Sequence, residues 1–209
     1  DLALSWEILL CTIAVLSMVV GNLGAIMQTN IKRMLAFSSI SHAGYLLIAV
    51  ISKSSLSGSS LLFYMLSYAF TTFGAFGIII LLGRKGEENL ELENYSGLAY
   101  KHPLMALSMT VFLLSLGGLP PFAGFVAKFY IFNAAIEEGF VTLVIIAVLN
   151  SAISFYYYLK VVVFMYMKEA ESEFQISLTP MTLFVVILGL IGTIELGIFP
   201  DTIISLTTH

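Results

Sequence analysis

Six long apolar runs dominate the sequence and restrict the folds that it can adopt. They cover residues 6–28, 33–51, 61–83, 103–136, 140–167 and 180–198. A run of about 18 apolar residues is long enough to cross a ~30 Å hydrocarbon core as a helix. Such runs must be helical, because the bilayer core offers no water to the backbone and the alternation typical of barrel strands is absent from this sequence. The runs therefore predict an all-α, polytopic transmembrane helical bundle with about six spans.

The composition excludes several other classes of protein. Of the 209 residues, 59% are hydrophobic and only 11% are charged, whereas soluble domains carry roughly 25% charged residues. Nine Lys and Arg against thirteen Asp and Glu leave a formal net charge of -4, which provides no basic surface for a nucleic acid. The single cysteine, Cys11, cannot form a disulfide or a thiolate-bound cluster alone. The sequence opens on Asp1 without a Met or a basic segment, which indicates a fragment or a processed chain.

The basic residues predict the orientation of the bundle. When the loops are assigned alternately to two sides, one side has only Lys53. The other side collects Lys32, Arg33, Arg84, Lys85, Lys101 and Lys168. By the positive-inside rule this second side faces the cytoplasm, and both ends of the sequence face the opposite way. The connection 84–102 then lies on the cytoplasmic side, and we interpret its four glutamates as a solvated surface: Glu87, Glu88, Glu91 and Glu93.

The fourth run is too long for one straight span. Its 34 residues, 103–136, would form a helix of roughly 50 Å. Its middle reads GGLPPFAG from Gly117 to Gly124, and two prolines and three glycines predict a break there. Irregular backbone at membrane depth marks ion or substrate sites in transporters, although a simple proline kink or a hairpin of two short spans also fits the pattern.

Lys128 follows this break at the distance of about one helical turn. A lysine near a helix end can extend to the membrane interface, which is one interpretation. Against it, an ammonium in an otherwise uncharged span is costly unless water or a partner reaches it, and function is the default hypothesis for such a residue. Lysine can release its proton to become a neutral amine, which arginine cannot do.

His42 is the second unusual intramembrane residue. It lies on a polar helical face with Ser38, Ser41 and Tyr45, and it can carry a proton on either ring nitrogen. A neutral histidine that bonds two helices together is the alternative. Similar polar stripes occur in two other runs, where each alone is typical of interhelical hydrogen bonding: Tyr64, Ser67, Tyr68, Thr71 and Thr72, and then Asn150, Ser151, Ser154 and Tyr158, followed by Lys160. Together they predict a hydrated polar file between Lys128 and His42.

Two stretches resemble antiporter-like membrane subunits of NADH:quinone oxidoreductase, respiratory complex I. Residues 28–45, QTNIKRMLAFSSISHAGY, resemble the start of the tenth helix of that family. Residues 115–130, SLGGLPPFAGFVAKFY, are similar to its broken twelfth helix. Lys128, His42 and the run YYYLK ending at Lys160 favour the subunit N pattern, equivalent to mitochondrial subunit 2. The resemblance covers essentially the whole chain.

The resemblance implies an architecture and a set of roles. Residues 1–168 would form the second five-helix antiporter-like repeat, and 169–209 a C-terminal transmembrane helix, as the last six of fourteen helices. Lys128 would be the central protonatable group and His42 a relay. Lys32 would take part near the cytoplasmic side or would simply anchor the topology. The resemblance does not assign a role to Glu195, and we interpret it as an interfacial carboxylate near Asp201.

The function implied is proton translocation by a non-redox membrane subunit of a complex I-type enzyme. The chain itself is expected to bind no cofactor, whereas NAD, FMN, Fe–S clusters and quinone are expected in partner subunits. Its partners would be other membrane subunits of complex I, the lipid bilayer and protons. Its location would be the inner (plasma) membrane of a bacterium rather than the inner membrane of a mitochondrion. The alternatives are a cation/proton antiporter subunit outside complex I and a structural membrane module without transport.

Overall fold

The computed structural model of the protein describes residues 2–83, 90–169 and 179–201. Over these residues the chain is all-α, which confirms the predicted fold class. The helices are α1 (Leu2–Ile26), α2 (Ile31–Ser52), α3 (Ser57–Leu82), a short 3-10 helix (Leu92–Tyr95), α4 (Leu98–Lys101), α5 (Pro103–Gly117), α6 (Ala123–Glu137), α7 (Val141–Met167) and α8 (Pro180–Ile198).

Five of these helices are long and apolar enough to cross a membrane: α1, α2, α3, α7 and α8. The helix ends follow from the local sequence. Asn30 caps α2 by accepting a 3.1 Å hydrogen bond from the backbone N–H of Arg33. Pro103 and Pro180 begin α5 and α8, where a missing backbone donor costs nothing. The chain is therefore a polytopic membrane bundle, as its apolar runs predict.

The fourth span is discontinuous, and its break lies where the Gly and Pro residues predict it. Helix α5 ends at Gly117, and Gly118 takes the left-handed conformation with φ of 88°. The Gly118 N–H donates to the carbonyl oxygens of Leu114 and Ser115, which closes α5. Helix α6 starts only at Ala123, so a single kinked helix through 103–136 is excluded.

The connection between α3 and α5 docks onto neighbouring helix ends. The Ile31 N–H donates to the carbonyl of Leu90, and the Leu92 N–H donates to that of Thr29. These bonds fix the 3-10 helix against the start of α2, with Glu91 and Glu93 exposed as predicted. Four further charged residues of this connection lie outside the described residues: Arg84, Lys85, Glu87 and Glu88. The division of the chain at 168 and 169 stays a prediction.

Candidate functional site

Lys128 lies inside the bundle, on the face of α6 that turns toward α5 and α7. Only 5% of the residue is exposed. Its neighbours on the same helical face, Ala127 and Ile131, are also buried, so α6 carries the amine into the protein rather than toward lipid. This position depends on the break, because α6 starts about one turn before Lys128.

Three oxygen atoms accept hydrogen bonds from the Lys128 amine. It donates to the carbonyl oxygens of Gly117 at 2.9 Å and Leu116 at 3.2 Å, and to the hydroxyl oxygen of Ser151 at 2.9 Å. The two carbonyls belong to the last turn of α5, which has no further helical N–H to bind them. The negative end of the α5 dipole therefore faces the amine.

The Lys128 amine has a fourth contact, with an aromatic face. Its nitrogen lies 4.9 Å from the centre of the Tyr45 ring, a distance at which a ring stabilises an ammonium. Among the described residues, no carboxylate forms an ion pair with Lys128. Backbone carbonyls, a hydroxyl and a ring thus hold the amine inside the bundle, which disfavours an extension to the interface.

His42 connects tyrosines from two other helices. Its Nδ1 lies 2.7 Å from the hydroxyl of Tyr64 on α3, and its Nε2 lies 3.4 Å from that of Tyr158 on α7. The ring of Tyr68 lies against the imidazole, with the centroids 4.7 Å apart. A hydroxyl therefore faces each ring nitrogen, which suits proton transfer as well as helix–helix bonding.

Helix α7 brings the partners of Lys128 and His42 into one row. Ser151 contacts Lys128, and Tyr158 contacts His42 two helical turns further along, about 10.5 Å of helix. Between them, the Ser154 hydroxyl donates to the Ser151 carbonyl at 2.6 Å. The Tyr158 hydroxyl also bonds Ser38 of α2. The polar stripes of the sequence do meet in the folded chain.

A small cavity with a volume of about 10 Å³ lies beside His42, between α3 and the break in the fourth span. Such a volume holds about one water molecule, provided that polar groups surround it. Its walls include six polar side chains, namely those of His42, Tyr64, Ser67, Tyr68, Thr71 and Ser115, together with the backbone of the break. The cavity therefore extends the polar path from His42 toward the end of α5.

Asn22 of α1 is a buried polar residue that sequence reasoning missed. Its Nδ2 donates to the carbonyl and side-chain oxygens of Asn150 at 2.9 and 3.0 Å. Its Oδ1 accepts from the hydroxyls of Ser41 and Tyr157, both at 3.1 Å. A single Asn in a 25-residue apolar helix was the available signal, but no periodic stripe on α1 supported it.

The remaining predicted residues lie away from the Lys128 contacts. Lys32 is half-buried in the first turn of α2, ten positions and about 15 Å of helix from His42. Glu195 is exposed on α8, in keeping with a carboxylate near the interface. Within the described ranges, no three His, Cys, Asp or Glu side chains come close enough to hold a metal ion.

The chain is similar to known proteins in family, sequence and structure. Residues 2–154 match the family described as NADH:quinone oxidoreductase/Mrp antiporter, TM. Over 201 residues the chain is 50% identical to the NADH-quinone oxidoreductase subunit N of Trichlorobacter lovleyi, covering 96% of this chain and 41% of that protein. The chain thus spans about two fifths of the length of the curated relatives that it matches.

Two solved structures extend this similarity to the fold. One is a chain of respiratory complex I from Thermus thermophilus with bound aureothin, at a TM-score of 0.77 and 34% identity, covering 94% of this chain and 44% of that chain. The other belongs to the membrane-bound sulfane sulfur reductase, an archaeal respiratory membrane complex. There the TM-score is 0.84 and the identity 30%, covering 98% of this chain and 41% of that chain.

Proposed function

The chain belongs to the NADH:quinone oxidoreductase/Mrp antiporter transmembrane family, and we propose that it translocates protons within a complex I-type NADH:quinone oxidoreductase. Its activity would be that of an antiporter-like, non-redox subunit. The observation that carries this proposal is the buried Lys128 amine, held by the carbonyls at the end of a broken helix and by Ser151. The relatives named subunit N support the choice of enzyme.

The hydrogen bonds of Lys128 suit a group that gains and loses a proton. An ammonium has three N–H donors and no acceptor, and three oxygen acceptors face it. After deprotonation the amine keeps two donors and offers a lone pair, so one partner must become a donor. The carbonyls of Leu116 and Gly117 cannot do this, whereas the Ser151 hydroxyl can. Ser151 now donates to the Gly117 carbonyl at 3.1 Å, and rotation of this hydroxyl would turn its proton toward the amine.

We assign the next steps of the path to the row on α7 and to His42. The hydroxyl of Tyr158 offers an exchangeable proton next to the imidazole. The cavity between His42 and Ser115 has room for one water, which would connect the imidazole to the region of Lys128. His42 can accept a proton at one ring nitrogen and release one from the other, with a tyrosine hydroxyl at each. Lys32 would receive or supply protons near the cytoplasmic end of α2, or serve only as a topology anchor.

Energy for translocation would come from partner subunits. NAD, FMN, Fe–S clusters and quinone belong to those subunits in this proposal, and the chain responds to their chemistry through charge. A charge that changes close to Lys128 alters the cost of its ammonium strongly, because the surroundings are poorly polarisable. The location would be the inner (plasma) membrane of a bacterium, next to other membrane subunits of complex I.

The test is proton uptake by vesicles that contain the assembled enzyme with Lys128→Met. Pumping per quinone reduced is expected to fall at least about a hundredfold, the lower end of what a positioned proton-transfer group contributes. Lys168→Met is the matched control, because the Lys168 amine also lies over a ring, that of Phe164, but at the exposed end of α7. Normal pumping in Lys128→Met would favour a structural membrane module instead.

A cation/proton antiporter subunit outside complex I is the second candidate. The description of the matched family, which also includes Mrp antiporters, favours it. Affinity purification of the full-length subunit from its native membrane separates the two. Recovery of NADH:quinone reductase activity with the subunit supports complex I, and its absence from an intact purified assembly supports the antiporter.

A further inference from the structure

Helix α8 is joined to the break by buried hydroxyl groups. Thr193 of α8 lies with its hydroxyl oxygen 3.2 Å from that of Thr71 on α3. The Thr71 oxygen also lies 3.4 Å from the Ser115 hydroxyl, in the last turn of α5. All three side chains are buried, so the protein and not solvent determines their partners. Helix α8 lies beyond residues 2–154, the part that matches the family.

The direction of these hydrogen bonds follows from counting protons. A hydroxyl has one proton to donate. Thr71 donates its proton to the Ser67 carbonyl at 2.7 Å, so it can only accept from its two hydroxyl neighbours. Thr193 and Ser115 must therefore both donate to Thr71. This fixes the Ser115 proton on the side of Thr71 and leaves the lone pairs of Ser115 free to accept.

Ser115 uses that acceptor capacity to hold the start of α6. The backbone N–H of Gly124 donates to the Ser115 hydroxyl at 3.1 Å. Phe122, at the N-cap position of α6, provides no side-chain acceptor, so Ser115 supplies the cap from the other half-helix. The contact is close, because a Cβ on Gly124 would overlap the Ser115 carbonyl oxygen. Lys128 lies four residues after Gly124, on the same side of α6.

Helix α8 also touches the loop within the break. A Cβ added to Gly197 would overlap the carbonyl oxygen of Pro121 and come within 2.7 Å of the Phe122 carbonyl carbon. One turn earlier than Thr193, Gly189 lies against the backbone of Phe70 and Gly74 on α3. The helix is thus in direct contact with the break as well as linked to it by hydroxyls.

We propose that Thr193 is a positioning residue for Lys128. Its hydroxyl donates to the Thr71 oxygen that also accepts from Ser115, and so helps to hold that oxygen in place beside α5. Ser115, held there, caps the first turn of α6 so that the Lys128 amine reaches the end of α5. The helix outside the antiporter-like repeat thereby sets the geometry of the proton-binding group. This inference rests on the proposed function, since the role of Thr193 is expressed through Lys128.

The test is a set of substitutions at Thr193 in the full-length subunit of the assembled complex. Thr193→Val keeps the shape and removes the hydroxyl, whereas Thr193→Ser keeps the hydroxyl and removes a methyl group. Pumping per quinone reduced is expected to fall about three- to tenfold in the valine variant, the scale of one lost buried hydrogen bond. The serine variant is expected to keep most of its pumping. A residue that matters only for packing gives the opposite order, with valine tolerated and serine impaired.

Thr110→Val is the matched control. The Thr110 hydroxyl, on the same half-helix as Ser115, donates only to the Ala106 carbonyl of its own helix at 2.7 Å. The Thr110→Val variant is expected to pump normally. If Thr193→Val fails to assemble, Thr193→Ala is compared with Thr193→Ser, because these small residues differ by one hydroxyl. Equal pumping in the valine and serine variants, or in that second pair, overturns the proposal.

The Lys128 and Thr193 variants together distinguish a failure of this inference from a failure of the proposed function. If Lys128→Met abolishes pumping but Thr193→Val does not change it, the function stands and the positioning role is lost. If Lys128→Met pumps normally, the proposed function itself fails, whatever Thr193 does.

Discussion

The amine nitrogen of Lys128 lies 2.9 Å from the carbonyl oxygen of Gly117, the last residue of α5. One half of a broken span thus provides the titratable group, and the other half provides its acceptors. In a continuous helix the Gly117 carbonyl would accept a backbone N–H from the next turn. The amine, eleven residues further along, would then lie too far along the helix axis to reach it. The break and the lysine therefore depend on each other: the break leaves carbonyl oxygens without helical partners, and the Lys128 amine binds them.

A substitution at Gly118 tests whether the geometry of the break positions the Lys128 amine. The Gly118 φ of +88° suits glycine, and a Cβ there would lie 3.0 Å from the Lys128 Cδ and 3.2 Å from the amine nitrogen. Gly118→Ala is expected to cost roughly 1–2 kcal/mol in backbone strain and to displace the amine, which lowers pumping in the assembled enzyme.

Gly139→Ala separates the two effects of this substitution. Gly139 has a similar φ of +85°, but nothing lies within 4 Å of its added Cβ. It is expected to lose stability to a similar degree and to keep its pumping ratio. Equal pumping losses in the two alanine variants, measured as protons per quinone reduced, would contradict the role given to Gly118.

His42 is expected to matter less than Lys128. After His42→Ala, the hydroxyls of Tyr64, Tyr158 and Ser38 remain, and water can enter the space of the imidazole. After Lys128→Ala, no other amine within the described part of the chain bonds the carbonyls at the end of α5. Proton pumping of the two variants is compared in vesicles at matched abundance of the assembled enzyme, and an equal or greater loss in His42→Ala would reverse this ranking.

The sequence predicted the helices and the main residues of the site better than it predicted the contacts between helices. The long apolar runs, the GGLPPFAG break and Lys128 can each be read from the local sequence, so the six spans, one of them discontinuous, were predictable. Asn22 and Thr193 were not, because a single polar residue in an apolar helix does not reveal its partner. Asn22 binds Asn150, 128 positions away, and Thr193 meets Thr71, 122 positions away. Only tertiary packing brings such groups together.

Tyr158 offers a test of the path between the two titratable groups. Its hydroxyl contacts both His42 and Ser38, whereas the neighbouring Tyr156 is 62% exposed on the outer face of α7. Tyr158→Phe removes one exchangeable proton while preserving the ring, and we expect a several-fold loss of pumping. Tyr156→Phe, the matched control, is expected to pump normally. The rate of proton uptake per assembled enzyme measures both, and similar rates would remove Tyr158 from the path.

Lys128→Arg tests proton release directly. The guanidinium keeps its proton across the accessible pH range, so the variant preserves the charge but cannot cycle between charged and neutral forms. If Lys128 works by that cycle, Lys128→Arg should assemble and insert, yet pump as poorly as Lys128→Met. A lysine that served only as an interfacial anchor would behave differently, because arginine would replace it and only the uncharged residue would disturb insertion. Quinone-coupled proton uptake, normalised to assembled complex, measures this, with Lys168→Arg as the control at the exposed end of α7. Near-normal pumping by Lys128→Arg would mean that Lys128 holds a charge in place without transferring a proton.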